Sequence, residues 1–547
     1  MAQYVIGIDF GSLSARSIMA DIATGRIIAE AVSEYAHGVI YDELSGKKLG
    51  PSWALQDPAD YLTALTESVR SVMEKASAAE NVVKEQVLGL SLDFTCCTLM
   101  PLKEDLTPLC FLHPDRPNAW VKLWKHHSAQ AQADRACQTA GEMNEPFLAR
   151  YGGTFSADWA IPKIMETMEQ DPDLCREIDL YMEAGEWLTS LLVGKKIKSS
   201  SFACFKSCYD IQEGYPSDEY FAALMPDHPE FVQEMHKLTD LPVMRIGQRA
   251  GTLTPEYAEK LGLCPGTFVG VPSGDAYASI AGMSATASGD MIMMLGTSSS
   301  DLMNSDRFAN VSGVDAVIRD GILPGMVTYE AGQYATGDML GWFTSHMVPA
   351  AYAEKARQRG ISLHQYLTER AAAIPADDTK LTVLEWWNGN RSILNDSDLP
   401  GVILGLTLTT RPEAIYRAMM EATCFGQKVI LDNYEAHQVP VGRIFLCGGI
   451  AMSNPFMVQL YADILGRELE VSTISQSSSL GSCMYAACAV GKERGGYDSI
   501  YEAATHMKCY PTVKVQPDPE KTAVYQKKFE RYQALYDFFG KRPLRSL

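Results

Sequence analysis

Apolar and polar positions along this chain repeat in blocks: a short apolar run, a turn bearing glycine or aspartate, then apolar residues at helical spacing. Tyr4 to Ile8 is apolar and β-prone, which predicts a buried strand ending on Asp9. Gly11 allows a tight turn, and Ser17 to Ile22 predicts a second strand. Pro58 to Ala79 places Tyr61, Leu62, Leu65, Val69, Val72 and Met73 at helical spacing, predicting a helix that starts near Asp57-Pro58. Val87 to Leu92 predicts another buried strand, and it too ends on an aspartate, Asp93. Glu186 to Leu192 reads as a core helix. The run from Phe268 is again strand, glycine and aspartate (Ser273-Gly274-Asp275), followed by small residues that open a helix. Met291 to Leu295 is a strand leading into the hydroxyl-rich turn Gly296-Thr297-Ser298, and Gly405 to Lys428 contains a helix. Ile444 to Cys447 runs into Gly448-Gly449, with Asn454 beyond. Ser477 to Ala487 is a small-residue helix suited to tight packing, and Tyr525, Phe529, Tyr532, Tyr536 and Phe539 form the docking stripe of a terminal helix. Strands that run into Asp, Thr and Gly predict an α/β protein with ligands at the carboxyl ends of its strands.

Composition narrows the function classes. The 547 residues suffice for several domains, and 46% apolar with 21% charged residues is ordinary globular composition. A formal net charge of −20 argues against nucleic acid or an anionic membrane as the main partner. No secretory signal and no apolar run of membrane-span length is present, so the expected location is cytoplasmic. The 13 cysteines form no C-x-x-C pair, which suits reduced, buried thiols. The Pro- and Gly-rich stretch from Asp240 to Pro255 marks a boundary between domains 1–253 and 254–547.

Several residues bear candidate chemistry. In the opening hairpin, backbone N–H groups, Ser12 and Ser14 can make an anion nest, Arg16 adds positive charge, and Asp9 is a hard oxygen ligand for Mg²⁺. The same stretch also reads as a plain glycine-turn hairpin. Asp93 is either a ligand at a strand end or a loop cap. Asp275 is either an aspartate kept ionised at a helix start or a plain N-cap. Lys206, among small and apolar residues, is either a snorkelling surface lysine or a contact in a cleft. His126 and His127 are adjacent, have no carboxylate at ligand spacing, and do not read as a metal site.

The order of these motifs resembles the actin/hexokinase/Hsp70 class of two-lobed ATPases, and within it the FGGY family of carbohydrate kinases. The resemblance runs from about Tyr4 to Ala487. Its most specific residues are Asp93-Phe-Thr95-Cys-Cys-Thr98, Leu123-Trp-Lys125, Lys206, Glu330-Ala-Gly-Gln333, Gly337-Asp338 and Trp387-Asn388-Gly389. It implies an α/β fold of two ribonuclease-H-like domains with the site in a cleft between them. It implies ATP and Mg²⁺ as cofactors and transfer of the γ-phosphoryl group to O5 of L-ribulose, a step of L-arabinose catabolism. Carried over residue by residue, Asp275 would be the general base and Asp9 would anchor Mg²⁺. Gly11, Ser12, Arg16, Gly296 and Thr297 would face the ATP phosphates, and Gly337, Gly449 and Asn454 would line the adenosine pocket. Cys96, Lys206, Asp275 and Glu330 would touch the sugar. A homodimer is common in such kinases, although no stretch of this chain reports one.

Three places depart from the pattern of the L-ribulose branch: Ala203-Cys204-Phe205-Lys206 where many have Ala-Gly-His-Lys, Asp275-Ala276-Tyr277 where many have His third, and Trp124-Lys125-His126-His127 where some have Trp-Lys-Asp-His. D-ribulose, xylulose or another ketose or polyol therefore stands as an alternative substrate. A non-catalytic sugar or nucleotide sensor is a reading of another class, but no basic helix-turn-helix segment precedes Tyr4. A chaperone ATPase would need a peptide-binding domain, and little chain remains beyond Ala487.

Overall fold

The computed structural model describes residues 2–378, 380–474 and 476–540. The elements that carry the argument are, in chain order, β1 (Tyr4–Phe10), β2 (Ser14–Asp21), β3 (Ile27–Glu34), α1 (Pro58–Glu80), β4 (Val87–Phe94), α2 (Ala160–Gln170), α3 (Ser200–Lys206), β5 (Arg249–Thr252), β6 (Phe268–Gly270), β7 (Ser273–Gly274) and α4 (Asp275–Gly282). They continue as β8 (Met291–Leu295), β9 (Ser299–Ser305), β10 (Val327–Gln333), α5 (Gly337–His346), α6 (Pro412–Ala436), β11 (Ile444–Cys447), α7 (Pro455–Leu465), β12 (Leu469–Ser472), α8 (Ser477–Val490), β13 (Thr512–Val515) and α9 (Pro519–Gly540).

The chain forms two compact units. The first comprises Met1–Thr286, Ile318–Thr328 and Gln476–Cys509, and the second the remainder. The predicted boundary near residue 253 falls inside the first unit. The Pro- and Gly-rich stretch there leads into β5 and β6, and β6 joins the first sheet by parallel pairing with β4.

In the first unit the sheet runs β5-β6-β4-β1-β2-β3, with β7 also paired to β4. β1 pairs antiparallel with β2 and parallel with β4. Asp57 caps α1 by accepting from the Ala59 N–H at 2.9 Å, as its position before Pro58 predicts. α8 lies against β1 so closely that a Cβ on Gly7 would sit 1.9 Å from the Ser479 carbonyl. α4 and α8 cross with equal intimacy: a Cβ on Gly282 would meet the Ser477 carbonyl, and one on Gly481 the Ala278 carbonyl, each at 1.9 Å. The small residues of α8 are thus a packing requirement.

The second unit repeats the plan. Its sheet places β10, β9, β8, β11, β12 and β13 side by side in that order. β8 pairs antiparallel with β9 and parallel with β11, as β1 does with β2 and β4. On the terminal helix α9, Tyr525, Phe529, Tyr532 and Tyr536 are buried, as the stripe predicts, while Phe539 is half-buried. Among the described residues no helix is long and apolar enough to cross a membrane.

Candidate active site

In the first unit three aspartates converge because three neighbouring strands end together. Asp9 and Asp93 are register partners on β1 and β4, and Ser273 of β7 pairs with Asp93 from its other side, two residues before Asp275. Burial pushes the carboxyls of Asp9, Asp93 and Asp275 up, that of Asp93 well above the usual range, and the Asp9 charge raises both of the others. Of the Asp9–Asp93 pair, Asp93 is the one pushed further up. It is no loop cap. It lies within β4, fully buried, and its Oδ2 accepts from Ser482 Oγ at 2.6 Å. Asp275 opens α4, and its Oδ1 accepts from the Ala276 N–H at 2.7 Å. Its carboxyl is pushed up to about 7, by burial first and the Asp9 charge second, with Lys206 opposing.

The β1–β2 turn is fully tied. The Gly11 N–H donates to the Ser14 carbonyl at 3.0 Å, and Ser12 Oγ accepts from the Trp124 indole at 3.0 Å. Arg16 is the register partner of Asp9, its guanidinium 3.9 Å from the carboxylate and half exposed.

Cys96, Lys206 and Asp275 come together in this unit. A Cβ on Gly274 would lie 2.4 Å from Cys96 Sγ, so the thiol packs on the turn that delivers Asp275. Lys206 ends α3 with its ammonium 6.0 Å from the centroid of the Tyr277 ring. Glu330 belongs to the second unit. It lies on β10, and Arg391 Nη2 meets it at 3.1 Å while Arg391 Nε meets Asp315 at 2.7 Å.

Some supporting groups give no sequence signal. The buried Lys163 of α2 donates to the carbonyls of Cys97 (2.6 Å), Leu123 (3.0 Å) and Lys122 (3.1 Å). It thereby holds the turn in which Cys97 takes a positive φ of 60°. Burial alone would raise the Asp158 carboxyl, but the Lys206 and Lys163 ammoniums hold it below its usual range. His126 is buried with Nε2 2.7 Å from Glu166, and burial lowers it to about 4, so it is neutral. Lys122 meets the same carboxylate at 2.7 Å. This half of the paired histidines is thus a core hydrogen-bonding group.

The second unit gathers its glycine turns in the same manner. Met294 and Cys447 are register partners on the parallel β8–β11 pair, which brings Gly296 and Gly449 to the same sheet end. The Gly337 N–H donates to the Gly296 carbonyl at 3.0 Å, and the Thr336 and Asp338 N–H groups donate to the Thr297 carbonyl at 2.9 and 3.0 Å. A Cβ on Gly337 would stand 2.6 Å from the Gly296 carbonyl, so only glycine lets the turn rest on α5. Gly448 has φ 93° and abuts the Leu295 carbonyl, whereas a Cβ on Gly449 would meet nothing within 4 Å. Gly449 therefore presents open backbone. Asn454 caps α7, its Oδ1 accepting from the Met457 N–H at 3.0 Å, while its Nδ2 is 3.4 Å from Thr368 Oγ1.

Two units built on the same hairpin-plus-parallel-strand plan, with aspartates at one set of strand ends and glycine turns at another, are the two-domain ATPase fold. Solved structures share it: a xylulose kinase from Rhodospirillum rubrum (TM-score 0.79, 20% identity, covering 99% of this chain and all of that one) and a Plasmodium falciparum glycerol kinase with ADP (TM-score 0.76, 15% identity, 98% of each). Residues 4–282 match the N-terminal domain, and residues 291–490 the C-terminal domain, of the FGGY family of carbohydrate kinases. Ribulokinase from Bacillus licheniformis is 42% identical over 534 residues (97% of this chain, 96% of that one), and ribulokinase from Halalkalibacterium halodurans is 41% identical over 543 (98% and 95%). The chain belongs to the FGGY family of carbohydrate kinases and is a sugar kinase that uses ATP.

Proposed function

We propose that this kinase transfers the γ-phosphoryl group of Mg-ATP to O5 of L-ribulose, giving L-ribulose 5-phosphate. The observation that carries the reading is the placement of Asp275: a partly exposed carboxylate at a helix start, flanked by Lys206 and Cys96 and close enough to Asp9 to feel its charge. The similarity to ribulokinases along nearly the whole chain supports the choice of sugar.

Asp275 accepts the proton of the attacking hydroxyl, which leaves the oxygen free to bond the γ-phosphorus as the β–γ bridge breaks. Lys206, Cys96 and Glu330 contact the sugar hydroxyls. Arg391 pairs with Glu330 and fixes the direction of its carboxylate. The Ser12 and Thr297 hydroxyls and the Arg16 guanidinium offer hydrogen bonds and charge to the phosphates, while Gly11 and Gly296, whose N–H groups are held by the Ser14 and Ser298 carbonyls, carry no side chain to bar their close approach. Gly337, Gly449 and Asn454 line the adenosine site, where the open face of Gly449 suits a flat ring.

Asp9 fits a Mg²⁺ role by its chemistry: an oxygen donor, 14% exposed, beside the fully buried Asp93. Bound there, directly or through water, the ion supplies charge neutralisation for the phosphates.

The test is ADP release from Mg-ATP in a coupled assay with L-ribulose, D-ribulose, both xyluloses, L-rhamnulose and glycerol. Turnover on L-ribulose well above the rest is expected. A higher kcat/KM on another sugar would overturn the choice of substrate and leave the kinase assignment standing.

A further inference from the structure

The short helix α3 is bound at both ends to the segment that carries Asp275. At its start, Ser199 Oγ donates to the Pro272 carbonyl at 2.6 Å, and Ser201 Oγ accepts from the Gly274 N–H at 3.1 Å. Ser201 Oγ also lies 3.4 Å from Ser273 Oγ. Three consecutive residues before Asp275 are therefore tied to two serines of one turn. Ser199, Ser201 and Ser273 are all fully buried, so water does not replace these bonds.

At its other end, Phe205 stacks on Tyr277 with ring centroids 4.0 Å apart and planes at 27°. Both rings are buried, and each is wedged against a glycine. A Cβ on Gly321 would lie 2.7 Å from the Phe205 ring, and one on Gly274 would lie 2.6 Å from the Tyr277 ring. Phe205 immediately precedes Lys206, and Tyr277 follows Asp275 by two residues. The ring pair thus bridges the last turn of α3 to the first turn of α4, beside both charged groups. Neither polar bonds at one end nor stacking at the other would alone fix the angle between the helices. Together they leave α3 no hinge.

We propose that α3 is a brace for phosphoryl transfer, with Ser201 and the Phe205–Tyr277 ring pair as positioning residues that hold the Asp275 carboxylate and the Lys206 ammonium in one geometry around the sugar. The proposal rests on Asp275 as the general base. Neither Ser201 nor Phe205 touches substrate in this account. Each acts through the backbone that presents Asp275 and Lys206. A displacement of order 1 Å at such a site costs about 10²-fold in rate.

The experiment compares Ser201→Ala, Ser201→Thr, Phe205→Met and Asp275→Asn with the parent enzyme, measuring kcat, KM for each substrate and Tm. Ser201→Ala removes the acceptor of the Gly274 N–H, and Phe205→Met keeps side-chain volume while deleting the ring. The expected result is a kcat lowered about 10- to 100-fold in both, with KM for Mg-ATP within about two-fold of the parent, and partial recovery of kcat in Ser201→Thr, which restores the hydroxyl. Parent-like kcat in Ser201→Ala and Phe205→Met, with Asp275→Asn inactive, would overturn the brace and leave the base in place. Full turnover by Asp275→Asn would instead remove the base reading, and the brace with it. If Ser201→Ala does not fold, Phe205→Met decides by the same kcat-against-KM split.

Discussion

Asp9 and Asp93 face each other across the parallel β1–β4 pair, one carboxyl reaching solvent and the other fully buried against Ser482. Burial, and then the Asp9 charge, push the Asp93 carboxyl well above the usual range. Asp93→Asn keeps the shape with a neutral group and is expected to leave kcat close to the parent value in steady-state kinetics. Asp93→Leu strands the Ser482 hydroxyl and is expected to lower stability by about 1–3 kcal/mol, read by denaturant unfolding. A collapse of kcat in Asp93→Asn would show that Asp93 works as an ionised group.

The pH dependence of turnover follows from Asp275. Its carboxyl titrates near 7, raised by burial and then by the Asp9 charge, and a base works only when ionised. Log kcat/KM for the sugar is expected to rise with unit slope below about pH 7 and to level above it. Asp275→Asn is expected to lose about 10²- to 10⁴-fold in kcat. A flat profile between pH 5 and 8 would contradict the first expectation, and parent-like kcat in Asp275→Asn the second.

Arg391 joins Glu330 to Asp315, with Nη2 at 3.1 Å and Nε at 2.7 Å. Arg391→Met removes this guanidinium from beside two largely buried carboxylates. The expected cost is about 2–3 kcal/mol, below the range for fully buried pairs because the guanidinium is 21% exposed. Because Glu330 is assigned to the sugar, KM for the sugar is expected to rise while KM for Mg-ATP holds, which steady-state kinetics distinguishes.

Lys163 holds three carbonyls around the Cys97 turn from a fully buried position. Lys163→Met keeps the stem and deletes the ammonium. Three buried carbonyls lose the ammonium, that of Leu123 keeping a second donor in the His126 N–H, and Asp158 loses one of its two cations, at about 3 kcal/mol, read by urea unfolding. An unchanged midpoint would mean that water replaces the ammonium.

Glu385 makes stability depend on pH. It is buried, both its oxygens accept from Tyr532 (3.0 and 2.9 Å), and burial pushes its carboxyl up to about 8. Between about 4.5, where the unfolded chain ionises it, and about 8, the folded state binds the proton more tightly. Unfolding free energy from this group therefore falls as pH rises through that window. Glu385→Gln is expected to flatten the slope, seen as a smaller loss of Tm from pH 5 to pH 8.

The residues that end strands were legible because their signals are local. An apolar run followed by Asp9, Asp93, Gly296 or Gly448-Gly449 announces a strand and its turn through backbone preference alone, and two such runs pairing side by side bring their ends together. The tight α8 helix was legible for the same reason, since small residues at helical spacing admit close approach. What surrounds the site was not legible. Lys163, Arg391 and Ser482 meet their partners across 40 to 389 positions of sequence, and no local preference encodes such a pairing. Asp93 reads as ligand or cap because its hydrogen-bond partner, the Ser482 hydroxyl, lies 389 positions away. The unit boundary also lay beyond the sequence: a Pro- and Gly-rich stretch marks where a chain can bend, but only strand pairing decides whether it leaves the sheet or returns to it. Local residue order reveals which residues end each strand and what chemistry they bear. Which of them meet depends on the fold, since burial and charge act over distances in space that the order of residues does not record.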